Sequence, residues 1–143
     1  MNETVKFGKF NISKDEVFYE SEYSMGIVNL KPITQGHVLV APKRNVSRYS
    51  LLSIEEIIDL TNSAREICEV LKDEYLNMKQ GYIWLIQDGK EAGQTVPHVH
   101  LHIIPKRFSE WYQSGGVEDQ DRIPRSIDEM KKEASRLKIM FKK

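Results

Sequence analysis

The sequence predicts an α+β domain, with a mostly antiparallel sheet carrying one long central helix and a C-terminal helix. Three observations lead there. Short β-rich runs fill the first third of the chain. Two Ser-x-x-Glu capping boxes each open a helical stretch. The order is strands, helix, strands, helix, which segregates the two kinds of element instead of alternating them.

The first strands are expected over Lys6–Phe10, Val17–Tyr19 and Met25–Asn29, where β-branched and aromatic residues cluster. Lys31-Pro32 and Gln35-Gly36 then punctuate the chain. His37–Ala41 reads as a strand stopped by Pro42. Ser53-Ile54-Glu55-Glu56 caps the long helix, with Ser53 as N-cap and Glu56 reaching back. Its apolar stripe is read as Ile54, Ile57, Ile58, Ala64, Cys68, Leu71 and Tyr75. Cys68 lies on that stripe and is expected to be a small buried hydrophobe. Gly81–Gln87 is β-rich, Asp88–Gly93 is turn-prone, and Thr95–Ile104 reads as a strand closed by Pro105. Phe108–Pro124, with Trp111 and Tyr112, is expected to be an exposed loop. Ser126-Ile127-Asp128-Glu129 opens a last helix to about Met140.

Composition narrows the function classes. The 143 residues suit one domain, 1–143, with no repeat and no linker to divide it. Lys+Arg and Asp+Glu are both 21, a net charge of zero. Such a chain has no bulk attraction for nucleic acid or an anionic membrane, so neither partner is expected and phosphate recognition must be local. No apolar run approaches the ~20 residues of a membrane span. The single cysteine forbids an intrachain disulfide and suits a reducing compartment. With no apolar leader at the N-terminus, the expected location is the cytoplasm, with the nucleus also open to it. The sequons at Asn2, Asn11 and Asn45 are read as chance matches.

The chemistry concentrates in one place. The chain has four histidines, and His98, His100 and His102 fall within five residues. Strand alternation puts these three imidazoles on one face and Val99, Leu101 and Ile103 on the other. A zinc site is one reading. However, alternate strand residues stand ~6.6 Å apart, and zinc needs nitrogens at ~2.0 Å, so convergence of all three on one ion is hard. Catalysis on phosphate is the other reading. Neutral imidazole is a nucleophile near pH 7, and flanking imidazoles can serve developing charge without a protein-bound metal. Gly93-Gln94-Thr95 offers backbone N–H groups for an anion just ahead of the run. There is no P-loop and no GxGxxG.

His98-Val99-His100-Leu101-His102 followed by Ile103-Ile104-Pro105 resembles the signature of the histidine triad (HIT) superfamily. Gln87-Asp88-Gly89, Glu91–Val96, Asn29, Lys31-Pro32, Gly36–Val40, Arg125-Ser126, Glu129-Met130 and Leu137–Phe141 are similar to its Fhit branch, the dinucleoside triphosphate hydrolases. The resemblance implies a HIT-like homodimer whose two sheets join across the dimer axis. It implies hydrolysis of diadenosine triphosphate to AMP and ADP through a nucleotidyl-histidine on His100. His98, His102 and His37 would contact phosphates and steady developing charge. Gln87, Gln94 and Thr95 would lie at the nucleotide and its phosphates, and Asn29 at the ribose. Phe7, Ile12, Ile27 and Leu39 would form the apolar slot for adenine, although pattern alone would call them core. No tightly bound cofactor is implied, while Mg or Mn would accompany the substrate. Pro97 departs from the branch, and as a residue without an N–H it should face away from any ladder partner. The competing functions are a Hint-type nucleoside phosphoramidase, a slow-turnover nucleotide-binding signalling protein and a zinc-binding module.

Overall fold

The computed structural model describes residues 3–75, 81–105 and 122–141. Strands β1 (Thr4–Phe7) and β2 (Phe10–Ser13) form a hairpin. Five more build one sheet: β3 (Val17–Glu20), β4 (Ser24–Val28), β5 (Val38–Pro42), β6 (Ile83–Ile86) and β7 (Leu101–Ile104). Helices α1 (Ile54–Leu71) and α2 (Ile127–Ile139), with three short 3-10 turns, complete the described elements. The large sheet runs β3-β4-β5-β7-β6 with every neighbour antiparallel. This is the expected α+β arrangement.

Register sorts the sheet into two faces, because directly paired residues point the same way. Val28, Val38, Ile103 and Trp84 form one cross-strand row. This face carries α1, and the core there includes Val38, Val40, Leu60, Ala64, Ile67, Cys68, Leu71, Ile103 and Leu137. Gly26 lets the helix approach closely: a Cβ there would lie 3.2 Å from the Ile67 side chain and 3.0 Å from Phe18. Cys68 is buried as expected and accepts from Trp84 Nε1 at 3.4 Å. Val17, Ile27, Leu39, His102 and Leu85 form the row on the opposite face.

Both helix starts are where the sequence puts them. Ser53 Oγ accepts from Glu56 N and the Glu56 carboxylate returns to Ser53 N, so both halves of that capping box are made. Ser126 Oγ likewise accepts from Glu129 N.

Four expectations are corrected. Lys6–Phe10 is not one strand, because Gly8 at φ 61° turns the chain between β1 and β2. The two-residue turn with glycine in first place is a common hairpin connection. Second, α1 ends at Leu71 and leaves Ile54 and Ile58 exposed. Ala64, Cys68, Leu71 and Tyr75 are buried as expected, and Leu60, Ile67, Glu56 and Ser63 are buried with them. Third, Pro42 closes β5 from inside, pairing with Ser24. Fourth, the strand read over Thr95–Ile104 is only β7, Leu101–Ile104. Ahead of it, Val99 N donates to Val46 O and His98 N to Val96 O. Both bonds lie outside the sheet ladder, so the backbone bends there. Pro97 therefore meets no ladder at all. Trp111, Tyr112 and the rest of 106–121 lie outside the described residues.

Candidate active site

Although the strand is short, the alternation survives. Val99, Leu101 and Ile103 enter the α1-side core, while His98, His100 and His102 gather on the other side. All three are buried, as is His37 just before β5. The His100 and His102 ring centres are 4.9 Å apart, and those of His37 and His102 5.3 Å. Phe7 at the end of β1 lies 5.2 Å from both His98 and His100.

Backbone partners fix the proton on each ring. Gly8 N–H donates to His98 Nδ1 at 3.0 Å, so that nitrogen is bare. The proton is then on His98 Nε2, which donates to Pro42 O at 2.7 Å. Both nitrogens of His98 are thus spent on backbone. In this ligand-free structure the His98 ring therefore has no open nitrogen to turn toward a phosphate. What His98 offers is its carbonyl, which accepts from His100 Nδ1 at 2.8 Å. A carbonyl cannot donate, so His100 is protonated at Nδ1 and keeps a lone pair on Nε2.

A second relay starts in the loop between β4 and β5. Ile33 N–H donates to His37 Nδ1 at 3.0 Å. The His37 proton is therefore on Nε2, which lies 3.0 Å from His102 Nδ1 and donates to it. His102 must then carry its proton on Nε2. That Nε2–H is buried and unpartnered. A buried donor without a partner is costly and rare in a native interior, and it marks a place where an acceptor belongs.

Asn29 completes the group. Its Oδ1 accepts from Lys31 N at 3.2 Å, which fixes the amide orientation. Its Nδ2 then lies 3.0 Å from His37 Nε2, a donor facing a donor. While His37 holds this tautomer, that contact is no hydrogen bond, and the amide N–H is left for another acceptor.

Burial keeps these rings neutral. Desolvation, with repulsion from the Arg122 and Arg125 guanidinium groups and from His100, pushes His37 down to about 3. Desolvation, helped by His100 and His37, pushes His102 down to about 2. Desolvation also lowers His98 and His100. A neutral His100 with a free Nε2 lone pair is the nucleophilic form.

The four residues matched to the adenine slot do come together. Phe7, Ile27 and Leu39 belong to one apolar cluster with Val17, Met25 and Ala41, and half-buried Ile12 packs against it. Leu39 pairs directly with His102, so the cluster adjoins the histidines on one face. Gln87 and Gln94 are tied into the 87–94 loop. Gln87 Nε2 donates to Ala92 O at 3.0 Å. Gln94 accepts from Gly89 N at 2.8 Å and donates to Ser47 O at 3.0 Å. Thr95 is exposed beside them. Among the described residues, no group of three or more His, Cys, Asp or Glu is placed to hold a metal ion.

Sequence reasoning missed Gly8 and Asn45. Gly8 donates to His98, and Asn45 Nδ2 holds the Gly8 carbonyl at 2.9 Å. The Gly8-Lys9 pair between Phe7 and Phe10 was the available turn signal. Nothing local in the sequence marks Asn45.

A bent triad behind a short antiparallel strand, with one ring poised to attack and its neighbour's N–H unspent, defines a histidine triad nucleotide-site protein. Residues 11–109 match the HIT domain family, and the chain belongs to that family. It is 43% identical over 141 residues to the bis(5'-adenosyl)-triphosphatase of Dictyostelium discoideum, covering 96% of this chain and 93% of that one. It is 37% identical to the asymmetrical bis(5'-nucleosyl)-tetraphosphatase of Schizosaccharomyces pombe, over 99% of this chain and 96% of that one. Among solved structures it resembles the Plasmodium falciparum diadenosine triphosphate hydrolase bound to cyclomarin A. That match has a TM-score of 0.79 and 39% identity, over 97% of this chain and 84% of the other. These likenesses bear out the resemblance to the Fhit branch.

Proposed function

We propose that the chain is a Fhit-type hydrolase that cleaves diadenosine triphosphate to AMP and ADP through a covalent intermediate on His100. The observation that carries this reading is the pairing of a bare His100 Nε2 with the orphaned His102 Nε2–H in one buried group. The names of the relatives point the same way.

In this reading His100 Nε2 attacks the α-phosphorus. The N–P bond forms as the P–O bond to the bridging oxygen breaks, and ADP leaves with that electron pair. Water then attacks the phosphoramidate, breaking N–P and releasing AMP with the ring restored. The His102 Nε2–H donates to a phosphoryl oxygen whose charge grows during attack. His37 holds His102 in the donating tautomer, and His98 holds His100. Asn29 offers its amide N–H to the ribose. Phe7, Ile12, Ile27 and Leu39 cover the adenine. Gln87, Gln94 and Thr95 face the phosphate chain, with Gln94 also bracing the loop.

A divalent cation, Mg or Mn, arrives with the polyphosphate and offsets its charge, and the cleavage needs no resident cofactor. The chain acts as one domain in a homodimer, joined through the open edge of β6, where Tyr82 and Trp84 stack at 6.1 Å and are exposed. The expected compartment is the cytoplasm. Among the described residues no helix is long and apolar enough to cross a membrane.

The test is hydrolysis of diadenosine triphosphate by wild type and by His100→Asn, with products separated by chromatography. AMP and ADP in equal amounts, lost in the variant, support the reading. No turnover by wild type, with or without magnesium, removes it and moves the search to diadenosine tetraphosphate and adenosine phosphoramidates.

A further inference from the structure

The loop between β4 and β5, residues 29–37, supplies the Asn29 amide, the Ile33 N–H and His37. It is held from outside the site. The Asn29 carbonyl accepts two bonds from one guanidinium, Arg125 Nε at 3.1 Å and Arg125 Nη2 at 2.6 Å. Arg125 N also donates to Leu30 O at 2.8 Å. The guanidinium is in turn held by Glu133 of α2, whose Oε1 accepts from Nη2 at 2.7 Å. The other oxygen of Glu133 accepts from Tyr75 Oη at 2.8 Å. Arg125 and Glu133 are both largely buried, with side chains 21% and 9% exposed. A planar fork fixed at both ends is a rigid support, because the bonds set its direction as well as its distance.

We propose that Arg125, braced by Glu133, is a positioning residue for the cleavage site: it locks the 29–37 loop so that His37 keeps His102 in the tautomer whose Nε2–H meets the substrate. The proposal rests on the reading of the site given above. It runs through four contacts: Glu133 to Arg125, Arg125 to the Asn29–Leu30 backbone, the loop to His37 Nδ1, and His37 to His102. If the loop slips, Ile33 N–H no longer claims His37 Nδ1. The ring can then put its proton on either nitrogen, and His102 no longer has a fixed donor.

The experiment reads the rings directly. Long-range ¹H–¹⁵N spectra of the substrate-free protein assign the ring nitrogens of His37 and His102. Wild type should show a bare Nδ1 and a protonated Nε2 on both. Arg125→Gln should mix the tautomers and lower kcat on diadenosine triphosphate roughly ten- to hundred-fold, the size that small misplacements produce. In a His37→Ala background the same substitution should cost clearly less kcat than in wild type, because the route through His37 is already cut and only the hold on Asn29 remains. Arg125→Gln combined with Glu133→Gln leaves no unpaired buried carboxylate and carries the test if Arg125→Gln alone unfolds. Unchanged ring tautomers, or an undiminished loss of kcat in the His37→Ala background, overturns the proposal and leaves the pair as a brace for α2 alone. Since the spectra need no substrate, a wild type that fails to hydrolyse the dinucleotide overturns the functional reading without blurring this one.

Discussion

The carbonyl oxygen of His98 accepts from Nδ1 of His100 at 2.8 Å, so one triad residue sets the proton of the next through its main chain. The side chain of His98 does a different job, spanning Gly8 N and Pro42 O to hold that carbonyl in place. The division of labour separates two substitutions. His100→Asn removes the proposed nucleophile and should lower kcat by at least about 10⁴-fold, as loss of a covalent nucleophile generally does. His98→Asn keeps the main-chain carbonyl and should lose less, on the order of 10²-fold, through misplacement. Acid-free quenching and intact-mass measurement should find a nucleotidyl adduct on wild type and His98→Asn but not on His100→Asn. An adduct on His100→Asn would sink the assignment of the nucleophile.

Gly8 is the second point of control. Its φ of 61° is unfavourable for a residue with a Cβ, and that Cβ would stand 2.7 Å from Val96 Cγ1. Gly8→Ala should therefore cost about 2 kcal/mol of stability, from the left-handed backbone and the contact together. It should also lower kcat, since the Gly8 N–H holds His98. Urea denaturation and initial rates on the same preparation check both. Full activity alongside lost stability would show that the hairpin turn does not govern the triad.

The triad was legible because its alternation is a one-dimensional pattern. His at 98, 100 and 102 against Val99, Leu101 and Ile103 sorts to two sides whether or not the ladder is complete. That the ladder begins only at Leu101 was not legible, since the bend comes from Val99 N bonding to Val46 O, far away in sequence. The helix caps were legible for the same local reason, as both bonds of the Ser53–Glu56 box lie within three residues. The phase of α1 was legible only in its second half: Ala64, Cys68 and Leu71 are buried as read, but Ile54 and Ile58 are exposed while Leu60 and Ile67 are buried. The His98 tautomer rests on Gly8 and Pro42, 90 and 56 residues away, and the Arg125 fork on Asn29 spans 96 residues. Contacts of that separation leave no period to read.

Among the described residues β6 is an edge of the sheet, and that edge bears on assembly. A strand with an unpaired side and exposed aromatics invites pairing with another chain, and a lysine there discourages it. Tyr82 is 42% exposed and stacks on Trp84. In the homodimer proposed above, Tyr82→Lys should shift the mass from dimer to monomer and remove any dependence of the melting temperature on protein concentration. Light scattering after size exclusion checks the mass. A monomeric wild type would overturn the proposed homodimer, and a dimer unchanged in Tyr82→Lys would place its interface elsewhere.

Acid should unfold this protein through its histidines. His37 and His102 sit at about 3 and about 2 when folded, against an ordinary 6.5. His37 faces His102 and His100 in the site and the guanidinium groups of Arg122 and Arg125. The unfolded chain therefore binds more protons than the folded one at every pH between 6.5 and those low values. Stability is full above 6.5 and falls as the pH drops, by about 1.4 kcal/mol per unit for each ring. The pair alone gives about 3 kcal/mol per pH unit, and His98 and His100, lowered by burial, add in the same direction. A domain stabilised by about 5–15 kcal/mol cannot sustain that slope far below pH 5. Urea midpoints measured at pH 7.5, 6.5, 5.5 and 4.5 should be level between the first two and then fall steeply. His37→Asn should flatten the fall by removing one titrating ring. A stability independent of pH down to 4.5 would mean the rings are protonated within the fold, and the neutral relay from Ile33 to His102 would be wrong.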